Sequence, residues 1–306
     1  MVTPPKISSN DKALILSPAG SIDVELIKGA ENILTKWGLS VEISNHASNK
    51  AGRFSGTINQ RYTDLQSAFD DTDCKLILCS RGGYGAIHLI DKIDLTRFKQ
   101  HPKWLIGYSD ITILHSLLQV NGISSIHGPM AKHFAEEGEN DTSVKLINSI
   151  INGYGVNYQL TIPDYNNLNK NGTAKGPLFG GNLAVFCGLL GTQYSYIPSG
   201  GILFIEDIGE SPYKIDRFLH QLKLAGVFKQ ISGLIVGQFT EYEEDPLMYA
   251  PLYKSIFDIL IEYDFPICFN FPVGHVTNNV PLIMGNKATL KIEGNQIELK
   301  QILETK

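Results

Sequence analysis

Three short stretches put reactive side chains where a buried apolar run gives way to a turn. Trp104-Leu105-Ile106-Gly107-Tyr108-Ser109-Asp110-Ile111 reads as strand, glycine, serine, then helix. A serine at such a turn is held with its hydroxyl exposed, and the N–H groups at the helix start point at any oxyanion that develops. The match to a G-x-S-x-G elbow is partial, because Ile111 stands where the last glycine would be. Helix capping by Ser109 or Asp110 is the plainer alternative. Ile205-Glu206-Asp207-Ile208-Gly209-Glu210 sets carboxylates at the end of a second apolar run. Such charges are costly there unless solvated or partnered, and one of them could orient a histidine. A cap for the helix that begins near Pro212 accounts for Glu210 but less well for Glu206. Pro272-Val273-Gly274-His275 follows a third run and places an imidazole where a general base could work, although a lone histidine also has structural uses. The chain order Ser109, Glu206, His275 is one of those that serine–histidine–acid triads adopt.

A fourth stretch, Ser80-Arg81-Gly82-Gly83-Tyr84-Gly85, packs three glycines into four residues after the apolar run Lys75 to Cys79. Glycines there let backbone approach a ligand, at the strand end where open α/β sheets bind theirs. The stretch is neither G-x-G-x-x-G nor a P-loop, which argues against a nucleotide site. It could supply a backbone N–H to an oxyanion, with Arg81 available for a carboxylate; a glycine turn that serves packing is the alternative. His127 and His133 are six residues apart, off the spacing of a helical ligand pair, so no metal site is expected.

Strands must end where these groups begin. Ala13 to Ser17 reads as a buried strand, followed by a Pro18-Ala19-Gly20 turn. Ser21 then caps a helix with Val24, Ile27, Ile33, Leu34 and Trp37 on one side, ending at Gly38. Further strands are predicted at Ser40 to Ile43, Lys75 to Cys79 and Trp104 to Ile106. Helices are predicted around Leu65, Ala68 and Phe69, from Leu95 to Lys99, and from about Ile111 with Leu114, Leu117 and Leu118 inward. This β-α-β-α rhythm predicts a parallel sheet with helices on both faces. Asn152 to Asn171, rich in Asn, Gly and Tyr, reads as the crossing between domains.

Beyond that crossing, helices at Asn182 to Leu190, Ile215 to Leu224 and Leu252 to Ile261 mix with strands at Ile202 to Ile205, Leu234 to Val236 and Ile267 to Phe271. Ala288 to Ile292 and Gln296 to Leu303 read as a hairpin across Glu293-Gly294-Asn295. The fold class is therefore α/β. It comprises an N-terminal doubly wound parallel-sheet domain over 1–155, a linker over 156–172, and a second, smaller mixed α/β C-terminal domain over 173–306.

Composition narrows the function classes. The 306 residues suit two domains, and 43% hydrophobic residues exclude a disordered chain. No run of eighteen apolar residues exists, so no membrane-spanning helix is expected; the polar first dozen residues do not read as a signal peptide. A net charge of −5 gives no basic footprint for nucleic acid or an anionic membrane. Cys74, Cys79, Cys187 and Cys268 form no C-x-x-C pair and read as buried reduced thiols, which fits a cytoplasmic protein. Glycine is the outlier at 29 of 306 residues, above the usual ~7%, and Gly82, Gly83, Gly85, Gly107, Gly180, Gly181, Gly209 and Gly274 fall in candidate motifs named here and below.

The sequence resembles the LD-carboxypeptidase family of serine peptidases. The motifs that carry the resemblance are Arg81-Gly82-Gly83-Tyr84-Gly85, Gly107-Tyr108-Ser109-Asp110-Ile111-Thr112, His127-Gly128-Pro129-Met130, Gly180-Gly181-Asn182-Leu183, Ile205 to Glu210 with Tyr213-Lys214-Ile215-Asp216-Arg217, and Gly274-His275. They stand in family order across residues 14 to about 285. The resemblance implies two domains with the site between them, the nucleophile at Ser109, the triad acid at Glu206 and the base at His275. It implies oxyanion donors at the backbone N–H groups of Gly83 and Asp110, and substrate contacts from Arg81, Tyr84 and Asn182. The implied reaction hydrolyses the bond between an L-centre diamino acid and a terminal D-alanine in a murein tetrapeptide, in cytoplasmic wall recycling. No metal or organic cofactor is implied; a homodimer is. In the stretch after His275, Ile283 and Met284 stand where the family pattern leads one to expect a proline. The alternatives are a microcin C immunity-type hydrolase of aminoacyl- or peptidyl-adenylate analogues, a non-catalytic two-domain binding module, and an α/β-hydrolase esterase, which Ile111 disfavours.

Overall fold

Apolar runs bounded by glycine and polar turns become the strands, and their burial decides how far each extends. The computed structural model describes residues 1–163 and 168–303. In the first part of the chain the elements are β1 (Lys12–Leu16), α1 (Val24–Lys36), β2 (Ser40–Ile43), α2 (Ile58–Asp70), β3 (Cys74–Cys79), α3 (Thr96–Gln100), β4 (Trp104–Gly107), α4 (Thr112–Val120), β5 (Ser125–His127), α5 (Ala131–Glu137) and α6 (Thr142–Ile151). There follow β6 (Val156–Thr161), β7 (Gly172–Asn182), α7 (Leu183–Gly188), β8 (Ile202–Ile208), α8 (Pro212–Leu224), β9 (Gly233–Thr240) and α9 (Leu252–Leu260). The last four are β10 (Ile267–Cys268), β11 (Leu282–Met284), β12 (Lys287–Glu293) and β13 (Gln296–Gln301). The chain divides into two packing units, one of residues 1–155 with 277–285, the other of 156–276 with 286–302.

The first unit is built on a six-stranded sheet in the order β11-β5-β4-β3-β1-β2. Its pairs are parallel except β11 with β5. The interior strands β3 and β4 are buried almost throughout, as parallel strands covered on both faces must be. Helix α1 turns Ile27, Ala30, Ile33 and Leu34 inward. It is capped by Asp23, whose side chain accepts from Glu25 N–H, and not by Ser21 as expected. The Ser21 N–H instead donates to the Arg53 carbonyl, which holds residues 20 and 21 in a loop before the helix can start. Helix α2 opens with a capping box between Thr57 and Gln60 and closes on Lys103. The buried Lys103 ammonium donates to the carbonyls of Ala68 and Phe69 at 3.0 Å and to that of Asp71, and so satisfies the helix C-terminus from within.

The second unit has a seven-stranded sheet in the order β10-β9-β8-β7-β12-β13-β6. Strands β7 to β10 pair in parallel, and β12, β13 and β6 in antiparallel fashion. Its core joins Phe179, Leu203, Ile205, Leu234 and Val236 of the sheet to Phe186 of α7, Leu219 of α8 and Ile256 of α9.

The segment 156–172, expected to be a linker, carries β6, hydrogen-bonded to β13 from Val156↔Gln301 to Thr161↔Gln296. Val156 and Tyr158 point into the core and Asn157 and Gln159 outward, a strand alternation that the surrounding Asn and Gly obscure. Residues 164–167 of that expected crossing lie outside the described residues. Strand β7 was not expected as a strand at all, because glycines interrupt it. Those glycines are a packing requirement: a Cβ on Gly180 would sit 2.0 Å from the Phe204 carbonyl oxygen of β8. The apolar Ile283 and Met284 are accounted for by β11, a buried strand beside β5 in the first unit, so 277–285 leave the expected C-terminal domain. The strand expected to reach Phe271 stops at Cys268, since Asn270 takes a left-handed φ of 59° and the Phe269 N–H is bound by Asn169 Oδ1. The hairpin across Gly294 and Asn295 is present as expected.

Among the described residues no helix is long and apolar enough to cross a membrane, and no group of three or more His, Cys, Asp or Glu side chains could hold a metal ion.

Candidate active site

In the first unit, β4 is buried from Trp104 to Gly107 and delivers the chain to Tyr108 in extended backbone. Ser109 then adopts φ 64°, the left-handed region that non-glycine residues rarely enter, and begins a 3₁₀ turn, Ser109–Ile111, that runs into α4. A serine held there has the strained strand-to-helix geometry that a nucleophile elbow requires. Ile111 does not spoil it. The Ile111 side chain folds back on Gly107, where a Cβ would lie 2.9 Å from both of its Cγ atoms, so the first glycine makes the room.

The turn is braced from below by His115, which is wholly buried on α4. Its Nε2 lies 2.8 Å from the Gly107 carbonyl oxygen and its Nδ1 2.8 Å from Ser125 Oγ. A carbonyl can only accept, so Nε2 carries the hydrogen and Ser125 donates to Nδ1. Burial pushes the His115 pKa down to about 4, so the ring is neutral.

The glycine-rich stretch after β3 lies directly against the turn. A Cβ on Gly82 would be 2.8 Å from Ser109 Cβ, 3.0 Å from its Oγ and 3.3 Å from the Asp110 nitrogen. Gly82 is thus the residue that abuts Ser109, and Gly83 follows it, exposed and at φ 102°. Arg81 is exposed, with Nη1 donating to the Ser21 carbonyl at 3.1 Å. Tyr84 is 46% exposed, its ring 6.0 Å from that of Phe54 and 5.3 Å, edge-on, from that of His88. The Asp110 side chain is buried and accepts from Ala86 N–H at 2.8 Å. Burial raises its pKa to about 6, against the opposing pull of the Ala86 and Gly85 N–H groups and the Arg61 charge.

In the second unit, β8 runs on past its expected end at Ile205 and takes Glu206 and Asp207 into the strand. Both carboxylates are buried, and each is partnered. Glu206 Oε2 accepts from His275 Nδ1 at 2.7 Å. Asp207 accepts from Asn182 Nδ2 at 2.7 Å and from the N–H groups of Ala184 and Ile208 at 2.9 Å. A bulge between Ile205 and Asp207 sets Gly237 and Gln238 of β9 opposite the single residue Glu206, and such a bulge re-aims a side chain. Gly274 takes φ 124°, and a Cβ on it would sit 2.9 Å from both Glu206 Cβ and Oε2. Only glycine lets the backbone before His275 pass this close to the carboxylate.

Burial pulls the His275 pKa down, but the hydrogen bond and charge of Glu206, helped by Asp207 and Glu241, outweigh it and leave the ring above its ordinary value. Asp207 is raised to about 6, first by burial and also by the neighbouring Glu206 charge, while its N–H partners oppose the shift. Glu210 is paired with Lys214 of α8 at 3.1 Å, and the N-cap position of that helix is Ser211, so Glu210 is not the cap that the sequence suggested.

Of the predicted site residues, Ser109, Asp110, Gly83, Arg81 and Tyr84 belong to the first unit, and Glu206, His275 and Asn182 to the second. Glu206 and His275 are brought together. Asn182 is 4% exposed, caps α7 through Val185 N–H and holds Asp207. The sequence reading missed Arg61, His115 and the pairing of Asp207. An arginine on a helix and a histidine amid apolar residues give no local signal of burial.

A serine on a strained strand-end turn, and a histidine bound to a buried carboxylate, are each features that serine hydrolases use. Residues 14–128 match the LD-carboxypeptidase N-terminal domain and residues 175–290 the LD-carboxypeptidase C-terminal domain. The probable murein peptide carboxypeptidase of Bacillus subtilis is 30% identical over 293 residues, covering 94% of this chain and 91% of its own. The muramoyltetrapeptide carboxypeptidase of Oxalobacter formigenes superposes with a TM-score of 0.85 at 26% identity, over 95% of this chain and 98% of its own. A microcin C7 self-immunity protein, solved with aspartyl sulfamoyl adenosine, shares the fold at a TM-score of 0.85 and 22% identity, over 98% and 99% of the two chains. The chain belongs to the LD-carboxypeptidase family and is a serine-type carboxypeptidase.

Proposed function

We propose that this carboxypeptidase removes the terminal D-alanine of a murein tetrapeptide, cutting its bond to the L-centre of the preceding diamino acid. The observation that carries the reading is the 2.7 Å hydrogen bond between buried Glu206 and His275 Nδ1. A carboxylate that accepts from Nδ1–H fixes the tautomer in which Nε2 is the basic nitrogen. His275 takes the Ser109 proton as Oγ attacks the scissile carbonyl. The tetrahedral oxyanion is received by the N–H groups of Gly83 and Asp110, each such donor contributing about 3–4 kcal/mol in a comparable hydrolase. The protonated His275 then gives its proton to the leaving D-alanine amine, and Glu206 stabilises the imidazolium meanwhile. Water, deprotonated by the same imidazole, cleaves the acyl-enzyme and returns Ser109. Arg81, Tyr84 and Asn182 are the proposed substrate contacts, with exposed Arg81 suited to the terminal carboxylate that a carboxypeptidase must recognise.

The enzyme in this reading works as a homodimer in cytoplasmic wall recycling; light scattering of the purified protein tests the dimer. A second reading keeps the three residues and changes the substrate to an aminoacyl- or peptidyl-adenylate analogue. It is supported by the fold shared with the microcin C7 self-immunity protein, which was solved with such a compound. Incubation with lysine- and diaminopimelate-type tetrapeptides in competition with an acyl sulfamoyl adenosine decides between them. D-Alanine release without nucleoside release supports the first reading, and the reverse supports the second. Labelling of Ser109 by a serine-directed phosphonate, lost in His275→Ala, separates both from a binding module, which would take no label.

A further inference from the structure

The loop that the proposed chemistry relies on for an oxyanion donor has little of its own to fix it. Residues 82–85 hold three glycines, two of them at positive φ, and such backbone has more conformational freedom than any other. Gly82 nevertheless has almost no room, with the Ser109 side chain against it. A shift of a few tenths of an ångström changes the aim of the N–H groups beside it. Hydrogen bonds tie the loop and its last turn to other parts of the unit, the Gly85 N–H with the Asp110 carboxylate among them. The Gly82 carbonyl accepts from Gly20 N–H at 2.9 Å. The Gly85 carbonyl accepts from Arg61 Nη1 at 2.8 Å, and Ala86 N–H donates to Asp110 Oδ2 at 2.8 Å. The last two involve charged side chains only 1% and 2% exposed.

Arg61 gathers more than this loop. Its Nη1 also donates to the Pro18 carbonyl at 2.8 Å, in the turn after β1. Its Nη2 lies 3.4 Å from His88 Nδ1, and its guanidinium carbon 5.0 Å from the centre of the Phe54 ring. A Cβ on Gly85 would stand 2.8 Å from Nη1, so glycine at that position leaves the space the guanidinium fills. Asp110 supplies the negative charge that favours the charged guanidinium, and Arg61 does the same in return. For packing alone a buried arginine is a poor choice, because an apolar side chain of similar volume fills the space without the desolvation cost. What the guanidinium adds is direction: the turn after β1, the 82–85 loop and His88 in the turn that follows it are held at hydrogen-bond distance from one rigid fork.

We propose that Arg61 and the Asp110 carboxylate are positioning residues that brace the 82–85 loop against the Ser109 turn and so set where its N–H groups point during acyl transfer. The inference rests on the serine-peptidase reading above.

The test uses the full-length protein, a D-alanine-terminated tetrapeptide, and a peptide boronate whose boron replaces the scissile carbonyl and becomes tetrahedral on Ser109. Arg61→Met is expected to lower kcat about tenfold to a hundredfold with KM within about twofold, since misaimed donors fail only at the tetrahedral stage. Boronate affinity is expected to fall by a similar factor. Arg61→Lys, whose ammonium can donate to both the Pro18 and Gly85 carbonyls, is expected to recover much of the loss. Asp110→Asn keeps its backbone N–H and an oxygen for Ala86 but loses the charge; kcat is expected to drop about threefold to tenfold with the same split. Circular dichroism and melting establish which variants fold. If Arg61→Met does not, Asp110→Asn decides. Wild-type kcat and boronate affinity in the folded variants, or a loss confined to KM, overturns the brace and leaves the peptidase reading standing. A wild-type enzyme that neither releases D-alanine nor takes the boronate overturns that reading, and the brace with it.

Discussion

The serine turn and the glutamate–histidine pair are placed by opposite means. At Ser109 placement is a property of the backbone: φ 64°, a buried strand behind it, and Gly82 pressed against its side chain. At Glu206 and His275 it is a property of side chains: one short hydrogen bond from a partly exposed imidazole to a buried carboxylate, aimed by a bulge in β8 and β9. Strained backbone is intolerant of added atoms nearby, because nothing can move aside. A buried acid–imidazole pair is intolerant of a lost charge, because the partner left behind is desolvated and unpaired. The two regions therefore have different weak points, and substitutions can separate them.

The largest effects are expected at the groups proposed to react. Ser109→Ala and His275→Ala are each expected to cut kcat by about 10⁴-fold or more, measured by D-alanine release; in calorimetry Ser109→Ala is expected to leave the melting temperature nearly unchanged, whereas His275→Ala lowers it because buried Glu206 loses its partner. Glu206→Gln is expected to cost about 10³ to 10⁴-fold, because the amide can donate to Nδ1 and favour the wrong tautomer. The backbone-placed half breaks differently. Gly82→Ala forces a methyl to within 2.8 Å of Ser109 Cβ, and kcat is expected to fall about a hundredfold while the Glu206–His275 pair stays intact by the NMR shift of the imidazole.

The pH dependence reads the other half. His275 must be neutral to accept a proton, and its pKa lies above the ordinary histidine value. The acid limb of kcat/KM is therefore expected to have its midpoint above 6.5, with activity lost as pH falls through it. Glu206→Gln is expected to move whatever limb remains to lower pH. The smallest catalytic effect is expected far from both regions. Lys103→Met strands the α2 carbonyls, costing about 1–3 kcal/mol, seen as a lower melting temperature with kcat unchanged.

The same contrast sets what could be read in the sequence. Gly107 through Asp110 announced the turn because strand, glycine and helix start are adjacent along the chain, and Gly274-His275 announced the imidazole for the same reason. Strands rich in Val, Ile and Leu, such as β3 and β4, were legible from their apolar runs. Strand β7 was not, because the close approach of β8 that demands Gly180 also erases the strand signature. Strand β11 is three residues long, and its partner β5 is far away in sequence. Arg61 stands on an amphipathic helix where arginine ordinarily faces water, and its burial follows from loops that local pattern does not reveal. Asn182 was legible as part of a motif, whereas its bond to Asp207 depends on β7 and β8 being neighbours.

The central claim is that Ser109, served by the Glu206–His275 pair, cleaves the bond to a terminal D-alanine. Wild-type and Ser109→Ala protein, prepared side by side, should be given a tetrapeptide ending in D-alanine and the same peptide ending in L-alanine. The wild type is expected to release D-alanine in step with the peptide consumed and to release no alanine from the L-terminated peptide, and Ser109→Ala is expected to release none from either. Release by Ser109→Ala at near the wild-type rate would contradict the claim.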